Sequence, residues 1–524
     1  MADKERGVAQ RDDRQDRMLA LNALDRLIGW FSPAAALRRV QARTVLAYYE
    51  AAKPSRLRKF YRDRSSPNQL VSKSAVALRD QARHLQRNHD LARGALRTMV
   101  NNFVGANGIA VEFQPRRADG SIHKDYAYAL AQAFREWKRR PEVTRQHSWA
   151  QVQRLVASTW IRDGEAFAHE LIGPVPYLTH TSRVPYSLEL LEPDLIPMDY
   201  DQGARIRQGI EINAWGQPVA YHVYKQHPGE NVRFVRGEDL KRVPADRMIK
   251  VSRVDRIGQL RGISEFASVI TRLEDIKDYE ESERVAAKVA AMLTAYVKRQ
   301  APDGGGYMAP ETDEQGNPRP RELSMAPGMI IDTLAVGEDI GLIDSKRPNP
   351  NLITFRQGQL RAFAAGFGIS YSSASRDYNG TYSAQRQELV EQWVNYAVLT
   401  DDFVSLFVQP VLERWVLLAH MSGAVPRPAD VVPGTEHDFL FIGQSMPWID
   451  PVKEATAWVT LVRAGFASEV EVARRRGISP WELLEQISGF RDEARSKGLV
   501  FDSDAASGQG AAARRSDDEE GQQR

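Results

Sequence analysis

Three carboxylates, Glu189, Glu192 and Asp194, fall close together in the stretch "YSLELLEPDLIP". Acidic groups gathered at a strand end can hold two divalent cations, one to activate water and one to stabilise a leaving oxygen in phosphodiester hydrolysis. No plausible basic partner for a phosphate stands near them in sequence, so a metal-dependent nuclease is the weaker reading of the chain. Other candidates carry less. His84 and His89 are spaced so that they share no helix face. Asp199 and Asp201 in "MDYDQG" read as a turn, and Gly304 to Gly306 follow no strand and open no helix. The chain has no cysteine, which removes disulfides, thiolate zinc sites and cysteine nucleophiles. Phosphate-loop, H-E-x-x-H and G-x-S-x-G patterns are absent from the sequence. No catalytic residue, metal or cofactor is assigned.

A second polar stretch has a different character. "FGISYSSASRDYNGTYSAQRQ" (367–387) lies between helical segments and carries Ser370, Ser372, Ser373, Ser375, Arg376, Tyr378, Asn379 and Thr381. Apart from its tyrosines it has little to pack. Such a segment is either a solvated connection or a surface for transient hydrogen bonding.

The flanking elements follow from periodicity. "SKSAVALRDQARHLQRNHDLARGALRTMVNNFVGANG" predicts a pair of amphipathic helices. From there to about residue 260, helices give way to short strands separated by turns, an α+β arrangement with an antiparallel sheet. Residues 262–300 contain no Pro and no Gly after Gly262; they predict one helix extending about 55 Å. Its middle, "KDYEESER", is almost without apolar side chains, and Glu280 with Arg284 has helical ion-pair spacing. Residues 301–349 read as a small β-containing insertion rich in Gly and Pro. Helix resumes before the serine stretch, and a second long helix follows from Ser383, with Pro410 as a kink or break. Three helix starts, at Asp450-Pro451, Ser468 with Glu471, and Ser479-Pro480 with Glu482, are matched by stops at Gly465, Gly477 and Gly498.

Bulk numbers bound the answer. The 524 residues are 42% hydrophobic and 27% charged, with a net charge of +3. Residues 1–70 hold fifteen Lys and Arg against eight Asp and Glu, and the last residues lean acidic. Residues 1–20 and 503–524 read as disordered, with a helical stretch from Leu19 to Ala52. No apolar run reaches the roughly 18 residues of a membrane span, and the charged start lacks the apolar core of a signal peptide. No membrane partner is expected.

The order of elements resembles the lambda-type branch of the portal proteins of tailed bacteriophages. The resemblance is carried by "NHDLARGALRTMVNNFVGANGIAVEFQP" (88–115), "RGISEFASVITRLEDIKDYEESERVAAKVAA" (261–291) and "FAAGFGISYSSASRDYNGTYSAQRQELVEQW" (363–393), and spans roughly residues 20–490. It implies a non-enzymatic protein forming a homo-oligomeric ring, of about twelve copies, at one capsid vertex. The ring's channel would pass double-stranded DNA during packaging and ejection. The terminase large subunit, a head–tail connector, the capsid and its scaffold would be its other partners. It would be assembled in the host cytoplasm and reside in the virion. By position, 21–260 would form N-terminal helices and an α+β wing, 261–299 and 350–369 the two stem helices, and 300–349 the clip. Residues 370–382 would be a tunnel loop, 383–449 a long helix and return to the wing, and 450–498 a helical crown. The eight residues of the serine stretch named above would then meet DNA phosphates without reading sequence, and Glu274, Asp275, Asp278 and Glu281 would line the stem channel. A head–tail adaptor lacking the long stem is the remaining structural alternative.

Overall fold

The computed structural model describes residues 64–230, 240–291, 295–299, 338–342, 351–446, 450–478, 480–499 and 501, together with Trp30, Ser32 and Ala34. The expected disordered ends, nearly all of the 19–52 helix, Gly304–Gly306 and most of 300–349 lie outside the described residues. The chain divides into two compact units, Met1–Ser66 and Pro67–Arg524; the elements below belong to the second.

The predicted helix pair is present as α1 (Pro67–Asn88) and α2 (Asp90–Phe103). On α1 the buried side chains Val71, Ala75, Arg79, Ala82 and Leu85 recur every three or four residues, which puts them on one face. The pair breaks at His89, whose backbone is extended. β1 (Ala110–Phe113) leads to α3 (Lys124–Trp137) and α4 (Trp149–Asp163). A reciprocal capping box between Ser148 and Gln151 starts α4. Gly164, at φ +87°, ends it and turns the chain into β2 (Glu165–Ile172).

β2 is the middle strand of an antiparallel sheet between β3 (Tyr186–Leu191) and β8 (Met248–Ser252). A second antiparallel sheet runs in the order β4 (Ile206–Arg207), β5 (Ile210–Ile212), β6 (Pro218–Tyr224), β7 (Leu240–Pro244). Both faces of β2 are covered. Ala166 and Ala168 point into the main helical core, while Phe167 joins Ile196, Ile210, Tyr221 and Val243 in a smaller core with the second sheet. That is why β2 reads as a nearly unbroken buried run instead of an alternating one.

α5 (Ile270–Ala291) is 22 residues long, about 33 Å, and much shorter than the helix expected over 262–300. Two causes are visible. Before it, Ser264 caps a single 3₁₀ turn at Glu265–Ser268, and the backbone at Gly262 is pinned by close contact with Gly164. After it, Ala295–Arg299 (β9) pairs antiparallel with Glu338–Leu342 (β10). Strand pairing with a distant segment there overrides local helical periodicity. The chain returns through α6 (Leu352–Phe367), the short α7 (Tyr371–Ser375) and α8 (Tyr382–Phe403).

The α-helix is interrupted directly before Pro410, which sits in the first turn of the helix that follows. A π-helical turn, Val404–Val408, joins α8 to α9 (Gln409–Met421), and the Gln409 N–H donates to the Val404 carbonyl. The wider turn directly before Pro410 accommodates a residue with no N–H and a bulky ring. Tyr396, Leu399, Phe403 and Phe407 pack into the main core, where the Phe403 ring meets Phe103 edge-on at 5.8 Å. β11 (Phe439–Ile442) then pairs with β1, closing the body with a strand from its other end.

The three C-terminal helix starts are borne out. α10 (Pro451–Arg463) is capped by Asp450, α11 (Glu469–Arg475) by Ser468, and α12 covers Pro480–Ser496. Gly465, Gly477 and Gly498 take positive φ at the stops.

Candidate functional site

The serine stretch is more ordered than a solvated connection. α6 ends at Gly368, at φ +76°, whose carbonyl accepts from Gln392 Nε2 (2.9 Å) and Asn395 Nδ2 (2.6 Å) on α8. Ser370 then caps α7, its hydroxyl accepting from the Ser373 N–H at 3.1 Å. Glu388 on α8 takes both the Ser372 N–H (3.1 Å) and the Ser372 hydroxyl (2.5 Å). Ser375 donates to the Tyr371 carbonyl at 2.8 Å, and Arg361 on α6 lies 5.1 Å above the Tyr371 ring. The hydroxyls of Ser370, Ser372 and Ser375 therefore have partners within the protein.

What remains outward is the apex. Arg376, Tyr378, Asn379, Gly380 and Thr381 are exposed, with Tyr378 at 59%. Arg376 is in the left-handed region, φ +58°, and its Nη2 donates to Thr98 Oγ1 on α2 at 3.1 Å. Asp377 shapes the turn: its carboxylate accepts from the Asn379 N–H at 3.1 Å and from the Tyr371 hydroxyl at 3.3 Å. Thr381 caps α8. The apex thus presents one guanidinium, one phenol and one amide on a base clamped by three helices. Glu388 and Thr98, which do the clamping, carried no signal in the sequence.

On α5, Leu273 and Ile276 are buried, Tyr279 meets the Phe355 ring of α6 at 4.7 Å, and Glu280 pairs with Arg356 at 2.5 Å. Glu280 thus pairs across to α6 and not along its own helix to Arg284. Glu274, Asp275, Asp278 and Glu281 lie together on the other side of α5, all exposed. α5 and α6 therefore share an apolar seam and leave this acidic face to solvent.

The carboxylates of 189–194 are drawn into ion pairs. Glu189 on β3 pairs with His169 of β2 (2.7 Å) and Lys241 of β7 (3.0 Å). The His169 hydrogen bond, with help from Lys241 and against partial burial, lowers its pKa to about 2. Asp194 accepts from Arg83 at 2.5 Å and lies 3.3 Å from Arg79. Burial alone would raise its pKa; the two arginines outweigh that and hold it below the usual range. Among the described residues, Glu192, Asp194 and His227 approach closely enough to share a metal ion. Arg83 Nη2, however, also lies 3.6 Å from Glu192, so a guanidinium already supplies the positive charge between the two acids. These residues do not fit a two-metal centre.

Arg79 also reaches a knot that sequence reading missed. Glu165, fully buried at the start of β2, takes Arg261 Nη2 at 2.6 Å, Arg79 Nη2 at 3.3 Å and the Gly262 N–H at 3.0 Å. Arg261, also fully buried, donates in addition to the carbonyls of Gln208 (2.8 Å), Ile196 and Pro193. Burial opposes ionisation of Glu165, but Arg261, Arg79 and the Gly262 N–H prevail, so its pKa falls. A Cβ on Gly262 would sit 2.0 Å from the Gly164 carbonyl oxygen. The knot fixes where the chain leaves the sheet on its way to α5. One signal was available: Arg79 occupies the apolar stripe of α1, where a charge requires a partner.

Comparison with known proteins decides the family. Residues 53–399 match the model of "Phage portal protein, lambda family". The chain belongs to the lambda family of phage portal proteins. It is 26% identical over 466 residues to the "Probable portal protein" of Halomonas phage phiHAP-1, covering 85% of this chain and 86% of that one. To "Portal protein B" of Escherichia phage lambda it is 24% identical over 393 residues, covering 69% and 73%. A solved structure titled "Neck of native GTA particle computed with C12 symmetry" aligns with 79% of this portal chain and all of that one, at 14% identity and a TM-score of 0.41.

Proposed function

We propose that copies of this portal protein close into a ring of about twelve at one capsid vertex, with the apex Arg376–Thr381 directed at the DNA that passes through. The support is the apex itself: a short polar turn held by three helices yet exposed at its tip. A moving duplex requires grip without sequence reading, which phosphate contacts provide and bidentate base contacts would defeat. Arg376 supplies the charge, and Asn379 and Thr381 add exchangeable hydrogen bonds. Ser370, Ser372, Ser373 and Ser375 build the platform beneath. The acidic face of α5 (Glu274, Asp275, Asp278, Glu281) would line the stem and repel phosphates, keeping the duplex centred. Residues 300–349 would dock the terminase large subunit and later the head–tail connector. Residues 450–498 would face the capsid interior with its scaffold, the assembly forming in the host cytoplasm before it enters the virion.

Negative-stain micrographs of the purified full chain test the ring: particles with a central hole are expected, whereas monomers or dimers alone would reject it. Incubation with plasmid and magnesium tests the nuclease alternative, with intact plasmid expected.

A further inference from the structure

Asn-Gly occurs twice in the chain, at Asn107–Gly108 and at Asn379–Gly380. A glycine after asparagine leaves its backbone nitrogen unshielded by a Cβ. That nitrogen can close a five-membered ring onto the asparagine side-chain carbonyl carbon. Closure depends on how firmly the fold holds the pair, because the reacting atoms must be brought to about 3–3.5 Å in the right orientation.

The two pairs are held differently. Asn107–Gly108 lies in the turn between α2 and β1 and is gripped from α4. The Gly108 N–H donates to the Gly105 carbonyl at 3.4 Å. Gln153 bonds both the N–H (2.8 Å) and the carbonyl (3.3 Å) of the next residue, Ile109, and Arg154 donates to the carbonyls of Gly105 and Ala106. A Cβ on Gly108 would lie 3.1 Å from the Ala150 backbone. At the apex, Asn379 and Gly380 are both exposed. Among the described residues, neither the Gly380 N–H nor the Asn379 side-chain amide has a hydrogen-bond partner. The chain is fixed on either side instead: Gln385 donates to the Tyr378 carbonyl, and Thr381 caps α8. A Cβ on Gly380 would meet nothing closer than Gln385 Cγ at 3.5 Å, so the peptide is uncrowded on that side.

We propose that Asn379 is a site of spontaneous deamidation, with water as the only co-reactant, and that the fold protects Asn107 from the same reaction. The Gly380 nitrogen bonds to Asn379 Cγ and gives up its proton. The Cγ–Nδ2 bond breaks, and that nitrogen leaves as ammonia. Water then opens the succinimide at one carbonyl or the other, leaving aspartate or isoaspartate at position 379. One water is taken up, one ammonia is released, and near neutral pH one negative charge is gained. The apex, where Arg376 and Asp377 balance, thereby becomes net negative. This chemistry stands without a ring. Its bearing on DNA rests on the ring reading above, in which each converted copy would oppose Arg376 and repel phosphates.

The test ages the full chain at mildly alkaline pH. Conversion at both pairs is followed by peptide mass spectrometry, with isoaspartyl methyltransferase labelling to count isoaspartate. In folded protein, position 379 should convert roughly 10-fold or more faster than position 107, and in urea the two rates should converge. Gly380→Ala, which has room for its methyl group and needs no positive φ, should slow conversion by a similar factor. Asn379→Gln, which cannot close the five-membered ring, should stop it on the same timescale; circular dichroism confirms that both variants fold. Folded protein in which 379 converts no faster than 107 would overturn the proposal. So would a difference that persists unchanged in urea, since the fold would then not be its cause. In a mobility-shift assay with linear duplex DNA, aged wild type and Asn379→Asp should hold DNA less well than fresh wild type, and aged Asn379→Gln should match its fresh form. Conversion at 379 with DNA retention unchanged would uphold the modification and contradict the reading that directs the apex at DNA.

Discussion

The apex at Arg376–Thr381 and the knot around Glu165 are made from the same kinds of groups, charges and amides, in opposite surroundings. Glu165 and Arg261 are fully enclosed, and each is held by three or more partners. Arg376 reaches one side-chain partner, Thr98, from an exposed turn. Buried charges left half-paired are costly, so the knot must be complete and tolerates no change. The apex has no such penalty, because water can replace any bond it loses. In the proposed ring the knot would give α5 an immovable root, and the apex would stay free to exchange partners.

Substitutions should separate the two regions by their cost. Arg261→Ala strands the Glu165 carboxylate in the interior and should lower stability by about 3–5 kcal/mol in urea unfolding; a loss under about 1 kcal/mol would mean that Glu165 finds water or another partner. Gly262→Ala forces apart two backbones in contact and should cost about 1–3 kcal/mol, with no effect expected from Ala at Gly258, where nothing lies nearby on the Cβ side, beyond the strain of its positive φ. Glu189 tests the pairing of β3 with β2 and β7. Its folded-state pKa of about 2 lies below the unfolded value of roughly 4.3. Its stabilisation is therefore present above about pH 5 and lost as pH falls toward 2. Glu189→Gln should remove on the order of 1 kcal/mol of that acid sensitivity, after allowance for solvent screening; an unaltered acid transition would discount the His169 and Lys241 pairing.

At the platform, Glu388→Ala removes two acceptors from Ser372 and should cost about 1 kcal/mol, seen as faster amide exchange at 371–376 and little elsewhere. Arg376→Gly should barely alter stability. Relief of a left-handed backbone, about 1 kcal/mol, offsets the lost Thr98 bond. DNA packaging or retention should nevertheless fall, and normal packaging by that variant would remove the apex from the account.

Much of this architecture could be read from residue spacing. The helix pair, the α+β body and the three C-terminal helices follow from periodicity, caps and glycine stops, which are local signals. What escaped was decided at a distance. The end of α5 depends on β9 finding β10, a pairing that nothing in "AYVKR" announces. The 404–408 π-turn is a response to Pro410 that the sequence shows only as a helix breaker. Glu192 and Asp194 looked available for metal because Arg79 and Arg83, more than a hundred residues earlier, were not visible as their partners. The serine stretch stood out by composition, yet composition could not divide it into platform hydroxyls and exposed apex.

The absence of cysteine from the chain permits the most direct test. Asn379→Cys, labelled with a maleimide–gold particle on assembled protein and imaged by electron microscopy, places the apex in the assembly. The account predicts rings with gold density inside the central opening. Gold on the outer rim, or a cysteine made unreactive by burial against a neighbouring subunit, would contradict it.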